Sequence, residues 1–351
     1  MMTIDTIVLR KEFKHNEFRT PIVPKDVELL ISFNFRVFIE KFENRCYTIE
    51  EYIKYGGIPI ETNDIYKLDK SATLIVGLKD INFDDDKIFA FKHLYFAHCY
   101  KNQVGSQNIL NKFKISGGLL YDLEYLVDDN EKRLVSFGYY AGFMGALLGI
   151  KQYTLKHTNK SLQNLMPTHN IKNELIHVNS LMNSINLIKQ MPKIAIIGPN
   201  GRCGSGATKL FNLLNLNCTV FDRQSDKSNL EQFDIIINCI FLNKTENIKP
   251  FVSVETINKF FSCTIVDVSC DCSSENNPIR IYDKATTHEN PVLNFGNNID
   301  LIAINNLPTL IPIESSNYFS ERLVLLLIQI NSDPNHIWKN NFDLFVKHSC
   351  C

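Results

Sequence analysis

The stretch from Lys193 to Ala207, KIAIIGPNGRCGSGA, restricts the fold more than any other part of the chain. Apolar residues from Ile194 to Ile197 form a strand pattern, and a helical pattern follows the glycines Gly198, Gly201 and Gly204. Because glycine has no Cβ, such a turn lets the backbone approach a pyrophosphate, whose charge the amides at the helix start can meet. The pattern predicts a dinucleotide site; a purely structural glycine turn is the alternative.

An acidic residue follows at the place where a dinucleotide site needs one. The next predicted strand, Cys218 to Phe221, ends in Asp222. A carboxylate there can accept the ribose hydroxyls of NAD and repels the additional phosphate of NADP. The neighbouring Arg223 keeps NADP open as the alternative, since a guanidinium can bind that phosphate.

Strand and helix patterns alternate along the whole chain of 351 residues, whose length suggests two domains. Such alternation predicts an α/β fold with two doubly wound Rossmann-like domains and an interdomain cleft. We expect a substrate-binding domain at residues 1–135 with 318–351, and a dinucleotide-binding domain at 136–317. The predicted strands are Thr6–Leu9, Arg36–Glu40, Leu74–Gly77, Leu94–Ala97, Leu119–Tyr125, Ile194–Ile197, Cys218–Phe221, Asp234–Cys239, Thr264–Val268 and Leu301–Ile304.

Composition narrows the function class. The formal net charge is -1, so nothing in the charge balance recommends nucleic acid or an anionic membrane as a partner. The N-terminus has no continuous apolar core, which predicts no signal peptide and a cytoplasmic location. We expect a monomer that acts on a small molecule. The longest apolar run, Leu134 to Ile150, is shorter than the roughly 20 residues of a membrane span, and its regularly spaced glycines predict a buried helix with one slim face.

Catalytic residues are expected at the carboxyl ends of the parallel strands, where ligands bind in open sheets. Lys79 follows the apolar run LIVGL, and His98 follows LYFA. A partly desolvated lysine can act as a base, and histidine titrates near neutrality. Either residue alone is compatible with a surface lysine or a core histidine. Arg19 follows the first strand, where a guanidinium suits a substrate carboxylate.

The order of several motifs resembles the saccharopine dehydrogenase family that forms L-lysine. The motifs are FRTPIVP from Phe18, VGLKD from Val76, FAHCYKNQVG from Phe96, LYDLEYL from Leu120, FGYYAGFMGALLG from Phe137, GRCGSGA from Gly201, INCIFL from Ile237 and VDVSCD from Val266. The resemblance covers nearly the whole chain. It implies NAD-dependent oxidation of saccharopine to L-lysine and 2-oxoglutarate. The lysine and histidine alone also fit alanine dehydrogenase, and a non-catalytic NAD-binding protein is a further alternative.

The resemblance also implies the roles of individual residues. Lys79 would be the base that takes the proton of the secondary amine, and His98 the acid and base for the water steps. Substrate binding would involve Arg19, Gln103, Arg133 and Phe137. Asp80 and Glu124 would tune the pKa values of the catalytic pair.

For the cofactor, the resemblance implies a larger group of residues at the strand ends of the second domain. They are Lys132, Gly198, Gly201, Arg202, Cys203, Gly204, Asp222, Asp226, Phe241, Val268, Ile304, Asn305, Asn306 and Leu307. Asn305 and Asn306 replace the usual Asp-His pair, Lys132 an arginine, Phe241 a tyrosine and Asp226 a hydroxyl residue. Asp226 adds negative charge beside Asp222, which disfavours NADP further.

Two cysteines suggest a redox switch. Cys203 lies at a predicted helix N-terminus, where the helix dipole lowers the pKa of a thiol, and Cys239 ends a predicted strand at the same edge. A disulfide between them would block the dinucleotide site reversibly, whereas two buried thiols are the alternative. Cys270 and Cys272 have no second ligand pair at suitable spacing, so we predict no metal site.

Overall fold

The computed structural model describes residues 3–101, 105–186, 191–240, 249–272 and 274–349. The strands are β1 (Thr6–Leu9), β2 (Arg36–Glu40), β3 (Ile58–Ile60), β4 (Thr73–Val76), β5 (Lys92–Tyr95), β6 (Leu119–Asp122), β7 (Ile194–Ile197), β8 (Cys218–Phe221), β9 (Ile235–Asn238), β10 (Val252–Ser253), β11 (Thr264–Asp267), β12 (Ile279–Arg280), β13 (Leu293–Asn294) and β14 (Asp300–Ile302). The helices are α1 (Pro24–Ser32), α2 (Ile49–Lys54), α3 (Thr62–Ile65), α4 (Ser106–Ser116), α5 (Gly138–Lys156), α6 (Ile171–Asn186), α7 (Arg202–Leu213), α8 (Pro312–Leu327) and α9 (Ile337–Ser349).

The chain divides into two compact units. The first contains Met1–Ser136 and Pro312–Cys351, and the second contains Phe137–Ile311. The sequence predicts these boundaries at residues 135/136 and 317/318. The second division lies earlier because α8 begins at Pro312, and its apolar residues, including Phe319 and Leu323, are buried within the first unit.

The first unit is built on a six-stranded sheet in the order β3-β2-β1-β4-β5-β6. All of its neighbouring strands are parallel. All residues of β1 and β4 are buried, and all except Thr6 and Thr73 are apolar, as expected of a parallel sheet covered on both sides. The strand order reverses between β1 and β4, and this is the place where open α/β sheets bind ligands.

The second unit has its own six-stranded sheet, in the order β13-β14-β11-β9-β7-β8. Its strands are parallel except for the antiparallel pair β13 and β14. The strands β10 and β12 form a separate two-stranded sheet. The order reverses between β7 and β9, so the glycine turn after β7 lies at the switch point of this sheet. The predicted α/β fold class with two Rossmann-like sheets is confirmed.

Most predicted elements are present, with shifts that have local causes. The helix predicted to begin with a threonine cap is α2, where Thr48 and Glu51 form a reciprocal capping box. The strand predicted for Leu119–Tyr125 ends at Asp122, whose side chain accepts the Glu124 amide and starts a 3-10 turn over Leu123–Tyr125. The helices α3, α6 and α9 and the short strands β3, β10, β12 and β13 were not predicted.

The glycine-rich helix predicted within Leu134–Ile150 is α5, and its slim face is confirmed. A Cβ built on Gly142 would lie 1.8 Å from the carbonyl oxygen of Cys203 in α7, and one on Gly206 of α7 would lie 1.9 Å from that of Tyr139. On the sheet side, a Cβ on Gly145 would lie 2.7 Å from a methyl group of Val268. The glycines thus let α5 approach both α7 and the sheet closely. None of the helices in the described ranges has the length and apolar character needed to span a bilayer.

Candidate active site

Lys79 lies just beyond β4, at the switch point of the first sheet. The side chain is largely buried, and its ammonium has no hydrogen bond or ion pair with any described residue. Burial lowers the pKa of Lys79 to about 8, and the positive charge of Arg19 acts in the same direction. A buried, unpaired lysine is uncommon in a purely structural role. At neutral to mildly alkaline pH it can therefore release and accept a proton.

The segment that carries Lys79 is held by two charged side chains from the end of β1. The Glu12 carboxylate accepts the backbone amides of Leu78, at 2.7 Å, and Lys79, at 2.9 Å. Arg10 donates to the carbonyl of Lys79 and lies 3.4 Å from Glu12. A Cβ on Gly77 would lie 2.4 Å from the Arg10 guanidinium, so the glycine of VGLKD makes room for this arginine.

His98 lies beyond the neighbouring strand β5, in a left-handed backbone conformation with φ 51°. Its Nδ1 is 2.9 Å from Oε2 of Glu124. Because an ionised carboxylate only accepts hydrogen bonds, Nδ1 carries the proton of this contact. The ring of Phe96 is stacked on the imidazole with centroids 6.1 Å apart. The side chain remains about half exposed, which leaves Nε2 as the nitrogen for proton transfer.

The segments of Lys79 and His98 are adjacent. The strands β4 and β5 are paired in parallel, and beyond them the amide of Phe96 donates to the carbonyl of Leu78 at 3.2 Å. The predicted pair therefore lies on neighbouring segments at one edge of the sheet. This placement is compatible with the predicted roles of a base and of an acid-base group.

Glu124 is nearly buried, and positively charged side chains surround its carboxylate. Besides His98, it is paired with Arg133 and with Lys101, whose Nζ is 3.0 Å from Oε1. The hydrogen bond from His98 lowers the pKa of Glu124 to about 2, and the charges of Arg133 and Lys101 contribute to the shift. Glu124 thus stays ionised beside His98, in line with the predicted influence on the catalytic pair.

Asp122 lies under His98 and Glu124. Its fully buried carboxylate accepts the amide of His98 at 3.1 Å through Oδ2 and the amide of Glu124 at 2.9 Å through Oδ1. From α9, the side chain of Asn341 accepts the Asp122 amide at 3.0 Å and donates to its carbonyl at 2.8 Å. Burial raises the pKa of Asp122.

The two predicted carboxylate-binding arginines have acidic partners in the protein. Arg19 is 3% exposed, and its Nε and NH2 bond the Glu17 carboxylate at 2.8 and 2.7 Å. Arg133 is more accessible, with 40% of its side chain exposed, and contacts Glu124. Arg133 is therefore the cation of the two that a substrate can reach more easily.

The other residues predicted around the substrate are placed as follows. Asp80 is exposed, directly after Lys79, and Lys132 is exposed in the turn before Arg133. Phe137 is partly buried and precedes α5 in the second unit. Gln103 lies outside the described residues.

The glycine turn of the second unit has the geometry of a phosphate-binding loop. Gly198 follows β7 with φ 82°, where a side chain is disfavoured and a Cβ would meet Ile240 at 2.2 Å. A Cβ on Gly204 would lie 2.0 Å from the Gly198 carbonyl, so no other residue fits there. Gly201 is the N-cap of α7 and provides no side-chain cap. The first-turn amides of α7, beginning at Arg202, are therefore suited to an anion.

Asp222 follows β8 and is exposed, as a ribose acceptor should be. Its Oδ1 accepts the amides of Gln224, at 3.0 Å, and Ser225, at 2.9 Å, and the hydroxyl of Ser225 lies 2.7 Å away. The bonds from Ser225 lower the pKa of Asp222. Asp226 is likewise exposed, and bonds from Ser228 lower its pKa. Both carboxylates lie in the segment that follows β8, and hydrogen bonds favour their ionised forms.

The remaining predicted cofactor residues differ in accessibility. Val268 follows β11 and is partly buried, whereas the side chains of Ile304 and Leu307 are in the apolar core of the second unit. Asn305 is exposed and Asn306 precedes a short 3-10 helix. Ile304 and Leu307 can thus face a ligand through backbone atoms rather than side chains. Phe241 lies outside the described residues.

The expected low thiol pKa at position 203 is wrong. Cys203 is the second residue of α7, but burial raises the pKa of its thiol, although the charge of Arg202 and a backbone hydrogen bond act in the opposite direction. Burial also raises the pKa of Cys239, and the proximity of Cys203 contributes. Both are free thiols in this structure. Among the described residues, no group of three or more His, Cys, Asp or Glu side chains is arranged to hold a metal ion.

Sequence reasoning missed four charged residues of the first unit. Glu12 and Glu17 follow β1, Asp122 ends β6, and Lys101 lies three residues after His98. The rule that led to Lys79 and His98, a polar residue directly after an apolar strand, also applies to Asp122. The pairing of Glu12 with the amides of another strand segment has no signal in the sequence.

Comparisons with known proteins identify a matching domain model and full-length relatives. The model for the alanine dehydrogenase/PNT N-terminal domain matches residues 8–144. A saccharopine dehydrogenase (NAD(+), L-lysine-forming) of Candida glabrata is 34% identical, over 98% of this chain and 97% of the relative. The enzyme of that name from Schizosaccharomyces pombe is also 34% identical, over 93% of each chain.

Solved structures agree on the fold. An L-alanine dehydrogenase matches with a TM-score of 0.72 and 14% identity, over 98% of this chain and 94% of that one. A transhydrogenase from Sinorhizobium meliloti matches with a TM-score of 0.66 and 15% identity, over 93% of this chain and 94% of that one. At such identities the likeness extends to the fold alone.

Proposed function

This chain belongs to the family of NAD-dependent, L-lysine-forming saccharopine dehydrogenases, and we propose that it oxidises saccharopine and cleaves it to L-lysine and 2-oxoglutarate. The observation that carries the proposal within the structure is the buried Lys79 ammonium without a described partner, with its pKa lowered to about 8, on the segment next to His98. The relatives above 30% identity favour this reaction over that of an alanine dehydrogenase, for which the likeness is one of fold.

Lys79 acts as the base of the oxidation. A carbon next to nitrogen loses hydride easily only when the nitrogen lone pair is available, so the secondary ammonium of the substrate must first lose its proton. The low pKa of Lys79 makes its neutral form available for this transfer. When bound, NAD supplies the hydride acceptor.

His98 acts in the hydrolytic half of the reaction. The resulting imine must gain a water molecule and then lose the amine, and both steps move protons. Because Nδ1 of His98 is bound to Glu124, Nε2 can take a proton from water and return it to the leaving nitrogen. The ionised Glu124 stabilises the imidazolium formed between these transfers.

Cations bind the carboxylates of the substrate. Arg19 and Arg133 have this role in the proposal, with Gln103 and Phe137 beside them. Because Arg133 is the more exposed of the two and shares Glu124 with Lys101, it can bind a substrate carboxylate while keeping its acidic partner. Asp80 influences the charge of the site from its exposed position next to Lys79.

The second unit fits NAD. The close approach of Gly204 to Gly198 leaves the backbone of the turn open to a pyrophosphate, with Arg202 and Cys203 beside it. Asp222 accepts the adenosine ribose, and Asp226 adds charge that opposes NADP. We assign supporting contacts to Lys132, Phe241, Val268, Ile304, Asn305, Asn306 and Leu307.

The protein acts on small molecules. We propose further that it works as a monomer in the cytoplasm, without nucleic acid or membrane as a partner; the formal net charge of -1 supports only the absence of nucleic acid or an anionic membrane as a partner. Light scattering in solution would contradict the monomer if it gave the mass of two or more chains.

The proposed reaction is tested by following NADH absorbance after mixing the purified protein with NAD and saccharopine. We expect NADH to form with saccharopine and not with L-alanine, and we expect Lys79→Met to abolish turnover. NADH formation from alanine alone would replace the proposal with an amino-acid dehydrogenase. The absence of NADH with either substrate, in protein that binds NAD, would favour a non-catalytic NAD-binding protein.

A further inference from the structure

Two buried carboxylates of the first unit share one arrangement. Glu12, which is 6% exposed, accepts the two consecutive amides of Leu78 and Lys79. Asp122, which is 0% exposed, accepts the amides of His98 and Glu124. Each carboxylate uses one oxygen for each amide. In both cases at least one of the two amides belongs to a residue with a proposed role in proton transfer.

Both carboxylates are themselves fixed by neighbouring groups. Arg10 is paired with Glu12 and donates to the carbonyl of Lys79, so the Lys79 segment is held at its amide and its carbonyl. The side chain of Asn341 forms hydrogen bonds with both the backbone amide and the backbone carbonyl of Asp122. A carboxylate that is held in this way can fix the position of the residues whose amides it binds.

The backbone of His98 needs such support. Its left-handed conformation, φ 51°, is unfavourable for a residue with a Cβ atom. The bond from its amide to Asp122 compensates for this cost and fixes the turn. The same carboxylate fixes Glu124, so the imidazole and its hydrogen-bonding partner are positioned from a single group.

We propose that Glu12 and Asp122 are positioning residues: Glu12 holds Lys79, and Asp122 holds His98 together with Glu124, at the ends of two neighbouring strands. Neither carboxylate faces the reacting atoms in this assignment, since both are buried beneath the segments that they bind. The inference rests on the saccharopine reaction proposed above. It assigns the alignment of the base and the imidazole to two residues outside the substrate contacts.

The variants Glu12→Gln and Asp122→Asn keep the shape of the side chain but place an amide NH2 opposite one backbone N–H. One hydrogen bond is lost in each, and the segment is displaced. We expect kcat to fall about 10- to 100-fold, as for misplaced catalytic groups, while KM for NAD stays within about twofold. Asp26→Asn is the matched control, because it alters a partly buried carboxylate of α1 that is bonded to Ser320, and it should leave kcat unchanged.

Double-mutant cycles distinguish positioning from general loss of structure. Asp122→Asn should lower kcat little further in a His98→Gln background, whereas Glu12→Gln should keep its full factor there. Asp122→Asn and Glu12→Gln should lower kcat multiplicatively when they are combined, because they act on different catalytic groups. A multiplicative loss for Asp122→Asn in the His98→Gln background would overturn the inference, because a carboxylate that acts only on stability has no preferred partner.

A second observable requires no turnover. In Asp122→Asn, the amide protons of His98 and Glu124 should exchange with solvent at least about tenfold faster, whereas those of Leu78 and Lys79 should not change. Unchanged exchange at His98 would overturn the inference. If Asp122→Asn does not fold, Asn341→Ala loosens Asp122 and should lower kcat in the same cycles.

The two proposals fail in different ways. If the unmodified protein forms no NADH from saccharopine and NAD, the proposed function fails, and this inference fails with it. If the unmodified protein turns over and the cycles show no preferred partners, only the positioning roles are wrong.

Discussion

At the scale of single residues, the first unit contains an ammonium group, that of Lys79, which folding largely removes from water without giving it a partner among the described residues. Burial lowers the pKa of Lys79 from 10.5 to about 8. The folded protein therefore holds the charged form less well than the unfolded chain does. The resulting loss of folding stability occurs at a position where the proposed reaction needs a neutral amine.

Lys79→Met should stabilise the protein at neutral pH while abolishing turnover. The shift of the pKa to about 8 corresponds to about 3 kcal/mol of destabilisation below pH 8, which the variant removes. The gain should shrink as the pH rises from about 8 toward 10.5, since the lysine then becomes neutral in both states. Thermal unfolding of the unmodified protein and of Lys79→Met, from neutral pH to pH 10.5, tests this prediction. A variant that is less stable than the unmodified protein at neutral pH would contradict it.

The rate should follow the protonation of Lys79. We expect kcat/KM for saccharopine to rise with pH up to an apparent pKa near 8, because the base must be neutral to accept a proton. Initial rates of NADH formation across this range measure the profile. A rise that continues to the ordinary lysine value of 10.5 would show that burial does not activate Lys79.

Cys203 and Cys239 should react slowly with alkylating agents in the native protein. Burial raises the pKa of both thiols, so little thiolate is present near neutral pH. Mass spectrometry after iodoacetamide treatment should find both unmodified in the native state and modified after denaturation. The redox switch predicted for Cys203 and Cys239 is tested by mild oxidation. Inactivation that dithiothreitol reverses, and that Cys239→Ser removes, would support a disulfide.

At the scale of elements, the second unit depends on the contact between α5 and α7. The two helices approach so closely that Gly142 and Gly206 each face the backbone of the other helix. The same helix α7 begins at the glycine turn after β7, so this contact also fixes the start of α7. The slim face of α5 therefore helps to position the proposed cofactor site.

Gly142→Ala should destabilise the second unit by about 1–3 kcal/mol, because the new methyl group would meet the Cys203 carbonyl at 1.8 Å. Gly201→Ala is the matched control, since its nearest neighbour atom would be 3.7 Å away and it should cost less than about 1 kcal/mol. Calorimetric unfolding measures both. Equal melting temperatures for the two variants would show that α5 and α7 can move apart at no cost.

At the scale of the whole molecule, the two units divide the chemistry. The residues proposed for proton transfer belong to the first unit, and the glycine turn with Asp222 belongs to the second. Binding of NAD and loss of turnover should therefore be separable by substitution.

NAD should raise the melting temperature of Lys79→Met as much as that of the unmodified protein. At about a hundredfold excess over Kd, the stabilisation would be roughly 2.7 kcal/mol. Asp222→Ala should reduce the shift, because it removes the carboxylate proposed to bind the ribose. Equal stabilisation by NADP would instead assign Arg223 to the additional phosphate and contradict the predicted preference for NAD.

The sequence by itself determined the two α/β units, the glycine turn, and Lys79 and His98 at strand ends, because these depend on local periodicity and on residues without Cβ atoms. The tertiary structure alone decided the partners. Glu12 binds amides far along the chain, and α9 supplies Asn341 to Asp122. It also decided the direction in which the thiol pKa of Cys203 is shifted, since burial of this residue raises it. Pairings and burial depend on how distant segments pack, and periodicity along a single chain carries no record of that packing.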